Sequence, residues 1–199
     1  MLKIYFPVEL FEYISEKENV GEQSNIYNDF LRFAVPKILK IEDDKIKTAV
    51  SSFKGVKRRF EYIVKNDATV YIDDYAHHPD ELKALITGAK NLFATKKCTL
   101  IFQPHLYSRT KDFAGAFAAT LDMADEVILL PIYPARELPI EGVNSEMILK
   151  KMKNENSRVL DKTGLMEWIK NNKTGLLVTA GAGDIDTLVE PIKNIISNR

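Results

Sequence analysis

Tyr71-Ile-Asp-Asp-Tyr-Ala-His-His-Pro79 is the stretch on which the fold turns: an apolar, β-branched run meets two carboxylates, a tyrosine and two of the three histidines. A change of this kind marks a strand end. Asp80 and Glu81, just past the proline, suit the positive end of a helix dipole, and Leu82, Leu85, Ile86, Ala89 and Leu92 then recur at helical spacing. The third histidine, His105, stands in a similar cluster, Gln103-Pro-His-Leu-Tyr-Ser-Arg-Thr110, directly after the apolar run Thr99-Leu-Ile-Phe102. Strands followed by polar loops and then helices predict parallel pairing, with the loops converging on one crevice at the carboxyl ends of the strands.

Working outward from this centre, the alternation continues. Helices are predicted over 110–123, 145–153, 165–170 and 184–197, and strands over 126–130, 158–160 and 175–179. Upstream, runs at 60–64 and 69–73 joined by the polar Asn66-Asp67 predict a hairpin. Before it, Ile46, Ala49, Val50 and Phe53 trace one face of a helix that Gly55 closes. Further upstream, Ile26, Phe30, Phe33 and Ala34 suggest another helix, ended by Pro36. The expected fold class is α/β: a Rossmann-like, mostly parallel sheet with flanking helices and an N-terminal β-hairpin, preceded by a small helical segment. The boundary is drawn near Gly55, giving a helical segment over 1–54 and a Rossmann-like domain over 55–199.

Composition narrows the function. The chain of 199 residues is 45% hydrophobic, and Lys plus Arg balance Asp plus Glu at 28 each, so its net charge supplies no reason to expect nucleic acid or an acidic membrane as partner. Any anion has to be held by local groups. Cys98, the one cysteine, has no intrachain disulfide partner and reads as a buried thiol. Met1 to Val8 is interrupted too soon by Pro7 and Glu9 for a signal peptide, and no apolar run reaches membrane-spanning length, so a cytoplasmic location is expected.

Four predicted strand ends carry unusual polarity. Asp73 and Asp74 alternate across a strand and cannot both face the crevice. His77 and His78 diverge in any regular backbone, and no third ligand at zinc-like spacing follows, so no metal site is expected. Arg109 lies at a helix start, against the dipole preference, where a guanidinium suits a carboxylate or phosphate; pairing with Asp112 or plain solvation is the competing reading. Lys57-Arg58-Arg59 is either a solvated basic run or a phosphate contact. Tyr133, Arg136 and Glu137 follow another strand, and Arg136 receives no role. Gly181-Ala-Gly183 is half of a dinucleotide fingerprint, explained equally well by a tight strand-to-helix turn. Neither a G-x-x-x-x-G-K-[ST] loop nor a G-x-S-x-G elbow occurs in the chain.

Taken in order, Phe53-Lys-Gly-Val-Lys-Arg-Arg-Phe-Glu61, Ile72-Asp-Asp-Tyr-Ala-His-His-Pro79, Phe102-Gln-Pro-His-Leu-Tyr-Ser-Arg-Thr110, Ile132-Tyr-Pro-Ala-Arg-Glu137 and Gly181-Ala-Gly-Asp-Ile185 resemble the carboxyl-terminal domain of the alanine-adding Mur ligases of bacterial cell-wall synthesis. The likeness covers 42–199; Asn25-Ile-Tyr-Asn28 is a fainter echo of the family's central domain. It implies a Rossmann-like domain of an enzyme that joins L-alanine to UDP-N-acetylmuramate. ATP phosphorylates the muramate carboxylate, the amine attacks, and magnesium neutralises the phosphates.

By that resemblance Arg59 reaches ATP phosphate, Asp74 the ribose hydroxyls and Tyr75 the adenine. His77 lies by the incoming amine, while His105 and Arg109 lie by the alanine carboxylate or muramoyl end, which makes His77 and Arg109 the catalytic candidates. Leu106 stands where some members have arginine, and it receives no role. The missing P-loop implies that ATP and Mg2+ are held mainly outside this chain, which is therefore expected not to ligate alone. Two other readings stay open: the related ligase that recycles muropeptides by adding a tripeptide, and a non-catalytic Rossmann-like binding module.

Overall fold

A computed structural model describes residues 39–52 and 56–198. The chain divides into two compact units, Met1–Ser52 and Phe53–Arg199. The predicted helix around Ile26 to Ala34, the Asn25-Ile-Tyr-Asn28 echo, and Phe53 and Gly55 lie outside the described residues. In the first unit α1 spans Asp43–Ser52, with Asp43 and Asp44 in its first turn. Of its expected apolar face Ile46 is buried, whereas Ala49 is exposed.

The second unit is built on six strands: β1 (Glu61–Lys65), β2 (Val70–Asp74), β3 (Cys98–Phe102), β4 (Glu126–Leu129), β5 (Ser157–Val159) and β6 (Leu176–Ala180), ordered β1-β2-β6-β3-β4-β5. Only β1 runs antiparallel, and it forms the predicted hairpin with β2. Asn66 makes that turn by accepting hydrogen bonds from the Ala68 and Thr69 amides through its Oδ1. The other neighbours pair in parallel. The chain passes from β2 to β3 and on outward, then returns to insert β6 between them, so the carboxyl ends of β2, β6 and β3 stand side by side.

The helices are α2 (Pro79–Leu92), α3 (Tyr107–Leu121), α4 (Ser145–Leu149), α5 (Lys162–Asn171) and α6 (Val189–Ser197), with a short 3-10 helix at Asp184–Leu188. Both sheet faces are covered, so the strands read as continuous apolar runs. On one face Ile72, Leu100, Phe102, Val127 and Val178 pack with Leu82, Leu85 and Ile86 of α2 and Phe117 and Leu121 of α3. Their alternates Tyr71, Ile101, Ile128 and Leu177 meet Leu165 and Ile169 of α5 and Ile192 and Ile196 of α6.

The differences from expectation have local causes. The α2 start is fixed by a capping box: His78 accepts from the Asp80 amide, and Glu81 accepts from the His78 amide in return. The α3 helix begins at Tyr107, earlier than predicted. The α4 helix stops at Leu149 rather than running to 153. The α5 helix starts early because Asp161 caps it through the Gly164 amide at 2.7 Å. The last segment divides into the 3-10 turn and α6, which places Pro191 in the first turn of α6, where its missing N–H costs nothing. Among the described residues no helix is long and apolar enough to cross a membrane.

Candidate functional site

Four polar strand ends meet at the carboxyl edge of the sheet, and they are joined by side chains rather than left as separate loops. At the end of β2 the two aspartates divide, as alternation requires. Asp73 is buried, where its Oδ1 accepts from Thr179 Oγ1 of β6 at 2.6 Å and its Oδ2 pairs with Arg58 Nε at 3.0 Å. Asp74 is half-buried: its Oδ2 accepts from the Phe60 amide and its Oδ1 from the Ala76 amide, each at 2.7 Å. Burial pushes both carboxyls above the ordinary range, opposed at Asp73 by Thr179 and Arg58 and at Asp74 by those two backbone amides.

The two arginines have separate fates. Arg58 turns inward, whereas Arg59 is exposed with its guanidinium carbon 5.9 Å from the Tyr75 ring centroid. Tyr75 is itself 38% exposed, so an aromatic face and a solvated cation stand together at the rim. His77 packs edge-on against Tyr75 at 5.3 Å and against His105 at 6.1 Å between ring centroids. His77 Nδ1 lies 3.0 Å from the Tyr75 carbonyl and 3.2 Å from Glu81 Oε2, so donation from Nδ1 leaves Nε2 with a lone pair. His78 departs from this group: it caps α2 and packs against Phe113.

The loop after β3 holds the other wall. His105 stacks on Tyr133 at 5.8 Å and 18°, and its Nδ1 lies 3.4 Å from Nη1 of Arg109 in the first turn of α3. Desolvation, then the neighbouring charges of Arg109 and His77, hold His105 below the ordinary imidazole range. The backbone between them is locked: the Leu106 amide donates to the Tyr133 carbonyl and the Tyr133 amide to the Pro104 carbonyl. Leu106 takes φ 71°, ψ 133°, a conformation that glycine accepts far more easily than leucine. Glu137 closes the group by accepting from the Ser108 amide and hydroxyl at the start of α3, and these bonds lower its carboxyl pKa. Arg136 is exposed.

The glycines after β6 serve this packing. A Cβ at Gly183 would lie 2.5 Å from both Gln103 Oε1 and Tyr133 Cβ, and one at Gly181, which has φ 147°, would lie 2.8 Å from the Gln103 carbonyl. Close approach of three loops therefore accounts for Gly181-Ala-Gly183 without a dinucleotide. Gln103 fastens the turn by donating through Nε2 to Asp184 and accepting at Oε1 from the Ile185 amide. Sequence reading missed Gln103, Arg58 as an internal group, and Glu137 as a helix cap. A glutamine next to a strand end in a run of buried residues was the available signal for the first.

A family model described as Mur ligase, glutamate ligase domain, matches residues 58–183, the span that contains all four strand ends. The chain belongs to the Mur ligase family. It is 46% identical over 175 residues to a UDP-N-acetylmuramate–L-alanine ligase of Cytophaga hutchinsonii, covering 88% of this chain and 38% of that one. Against the ligase of the same name from Flavobacterium johnsoniae it is 45% identical over 173 residues, covering 87% of this chain and 38% of the relative. The chain thus spans well under half the length of these curated relatives. Its fold superposes on the crystal structure of the UDP-N-acetylmuramate-alanine ligase of Thermotoga maritima with a TM-score of 0.71 at 28% identity, covering 90% of this chain and 39% of that one. A murein peptide ligase of Psychrobacter arcticus shares the fold with a TM-score of 0.58 at 22% identity, covering 77% of this chain and 33% of the other.

Proposed function

We propose that this Mur ligase domain binds the amino acid and closes over the nucleotide in an ATP-dependent ligase that joins L-alanine to UDP-N-acetylmuramate for peptidoglycan synthesis. The observation that carries the reading is the juxtaposition of two walls at one sheet edge: the exposed Arg59 beside the Tyr75 ring, and the His77–His105–Arg109 group that touches it through the Tyr75–His77 contact. A nucleotide fits the first wall, since an outward guanidinium suits phosphate and a half-open aromatic face suits a base. Asp74 uses one lone pair of each oxygen on backbone amides, and the remaining pairs can accept ribose hydroxyls.

The second wall suits L-alanine. The Arg109 guanidinium, permanently charged and 3.4 Å from His105 Nδ1, suits the alanine carboxylate, while His77 Nε2 can accept from the incoming amine and take up the proton it sheds on attack. ATP supplies the activation of the muramate carboxylate when it is bound. Mg2+ would offset its phosphate charge, but among the described residues no group of three His, Cys, Asp or Glu could hold a metal ion. Identity of 45–46% to two ligases named for L-alanine supports alanine over a tripeptide as the incoming nucleophile.

A competition experiment tests this reading. The chain is titrated with L-alanine in the presence and absence of the L-Ala-γ-D-Glu-diaminopimelate tripeptide; alanine is expected to bind and resist displacement, and preferential tripeptide binding would overturn the assignment. In a phosphate-release assay with UDP-N-acetylmuramate, L-alanine and MgATP, the chain alone is expected to stay at the blank rate, because it has no P-loop.

A further inference from the structure

Arg59 is flanked by two residues in strained backbone conformations, Arg58 at φ 58° and Phe60 at φ 48°. Left-handed geometry at two non-glycine residues on either side of an exposed arginine needs a compensating grip, and Arg58 supplies it. Its Nε pairs with buried Asp73 at 3.0 Å, and its Nη2 donates to the Gly181 carbonyl at 2.6 Å. Its guanidinium carbon sits 5.2 Å from the Tyr75 ring centroid, and Asp186 Oδ2 lies 3.9 Å from Nη1. Its backbone is held as well: the amide donates to Glu61 Oε2 at 2.7 Å and the carbonyl accepts from the Tyr75 amide at 2.9 Å. On the other side of Arg59, the Phe60 amide is bound to Asp74.

We propose that Arg58 is a positioning residue: an internal cation that ties the loop before β1 to the end of β2 and the turn after β6, and so holds Arg59 and Tyr75 as a preformed anion-binding edge. The proposal rests on the reading of Arg59 as the phosphate ligand. Arg58 does not meet the anion, because its side chain is 14% exposed and its donors are directed at Asp73 and Gly181. A lysine could not replace it, since a single ammonium lacks the fork of separate nitrogens by which Nε reaches the Asp73 carboxylate and Nη2 the Gly181 carbonyl.

The test uses inorganic tripolyphosphate as the probe and follows the arginine side-chain N–H signals of the 199-residue chain, at a temperature where every variant is folded by circular dichroism. In the parent the Arg59 Nε–H signal is expected to move, and Arg59→Ala to weaken binding at least tenfold. Asp73→Asn separates positioning from simple charge. Removing a negative charge from the site would strengthen anion binding on electrostatic grounds alone, whereas loss of the Arg58 anchor predicts affinity at least threefold weaker. Arg58→Lys, which keeps the charge and loses the bridging geometry, is expected to weaken binding at least fivefold. Unchanged or tighter binding in Asp73→Asn, or parental affinity in Arg58→Lys, overturns the positioning role while leaving Arg59 as the ligand. Parental affinity in Arg59→Ala, or no movement of its signal in the parent, overturns the phosphate reading and the positioning role together. Should Arg58→Lys fail to fold, Glu61→Ala, which frees the Arg58 amide, is expected to weaken binding two- to threefold, and parental affinity there counts against the proposal.

Discussion

Adding one methyl group to each of two glycines is expected to have opposite effects on stability, and the contrast tests how the site is assembled. A Cβ at Gly183 would fall 2.5 Å from Gln103 Oε1, 2.5 Å from Tyr133 Cβ and 2.6 Å from Tyr133 Cγ. Gln103 cannot swing away without releasing the Ile185 amide, bound at 2.9 Å, and Asp184, bound at 2.8 Å. Tyr133 cannot retreat without breaking its stack on His105 or its backbone bonds to Pro104 and Leu106. Overpacking of this kind costs about 1–3 kcal/mol, and losing the better part of one buried hydrogen bond adds about 1 kcal/mol. Gly183→Ala should therefore destabilise by about 2–4 kcal/mol. Gly115 lies within α3 with nothing inside 4 Å of its would-be Cβ, so Gly115→Ala should stabilise by about 0.5–1 kcal/mol through backbone propensity alone. Urea unfolding followed by far-UV circular dichroism reads both; at a slope of about 2 kcal/mol per molar, Gly183→Ala moves the midpoint down by about 1–2 M. A Gly183→Ala cost below about 0.5 kcal/mol would refute the three-loop packing.

Further outcomes follow from the same geometry. The His105 imidazole should titrate below 6.5, since desolvation and then Arg109 lower it, and Arg109→Met should raise its midpoint part of the way back, as read from the ring proton shifts; a midpoint above 6.5 in the parent contradicts this. Because its folded pKa lies below the unfolded one, stability should rise with pH across the interval between them. The Cys98 thiol, fully buried and pushed up to about 12, should resist disulfide-exchange reagents at neutral pH until the chain unfolds. Above about pH 9 the unfolded thiol ionises while the folded one does not, so the parent should lose stability relative to Cys98→Ala by about 1.4 kcal/mol per pH unit; parallel pH profiles would show otherwise. Asp161→Ala, which removes the cap on α5, should cost about 1 kcal/mol in thermal or urea unfolding, and no loss would mean that the cap is not formed in solution.

The parallel sheet, the hairpin and the convergence of polar strand ends were legible because each rests on local pattern: apolar runs, helical spacing at Leu82 to Leu92, and the turn at Asn66. The roles inside the site were less legible, because they depend on contacts across many residues. Arg58 and Arg59 are adjacent and chemically identical, yet one is fixed by Asp73, 15 positions away, and the other faces solvent. His77 and His78 diverge as alternation demands, but only the fold reveals that His78 is occupied as a helix cap. Gln103 joins β3 to a turn 81 residues later, and no short-range pattern encodes that partnership. The start of the α5 helix was missed because a side-chain cap at Asp161 decided it, and the break between the 3-10 turn and α6, which has no side-chain cap, left no such local signal.

The central claim, that one sheet edge carries a nucleotide wall and an alanine wall, is tested most directly by a backbone and side-chain NMR titration of the chain with ATP and then with L-alanine. The account predicts that ATP shifts the signals of Arg59, Asp74 and Tyr75, and that L-alanine shifts those of His77, His105 and Arg109. Shifts centred elsewhere, for instance on the shallow groove lined by Lys162, Met166 and Lys170, or no shifts from either ligand at millimolar concentration, would contradict it.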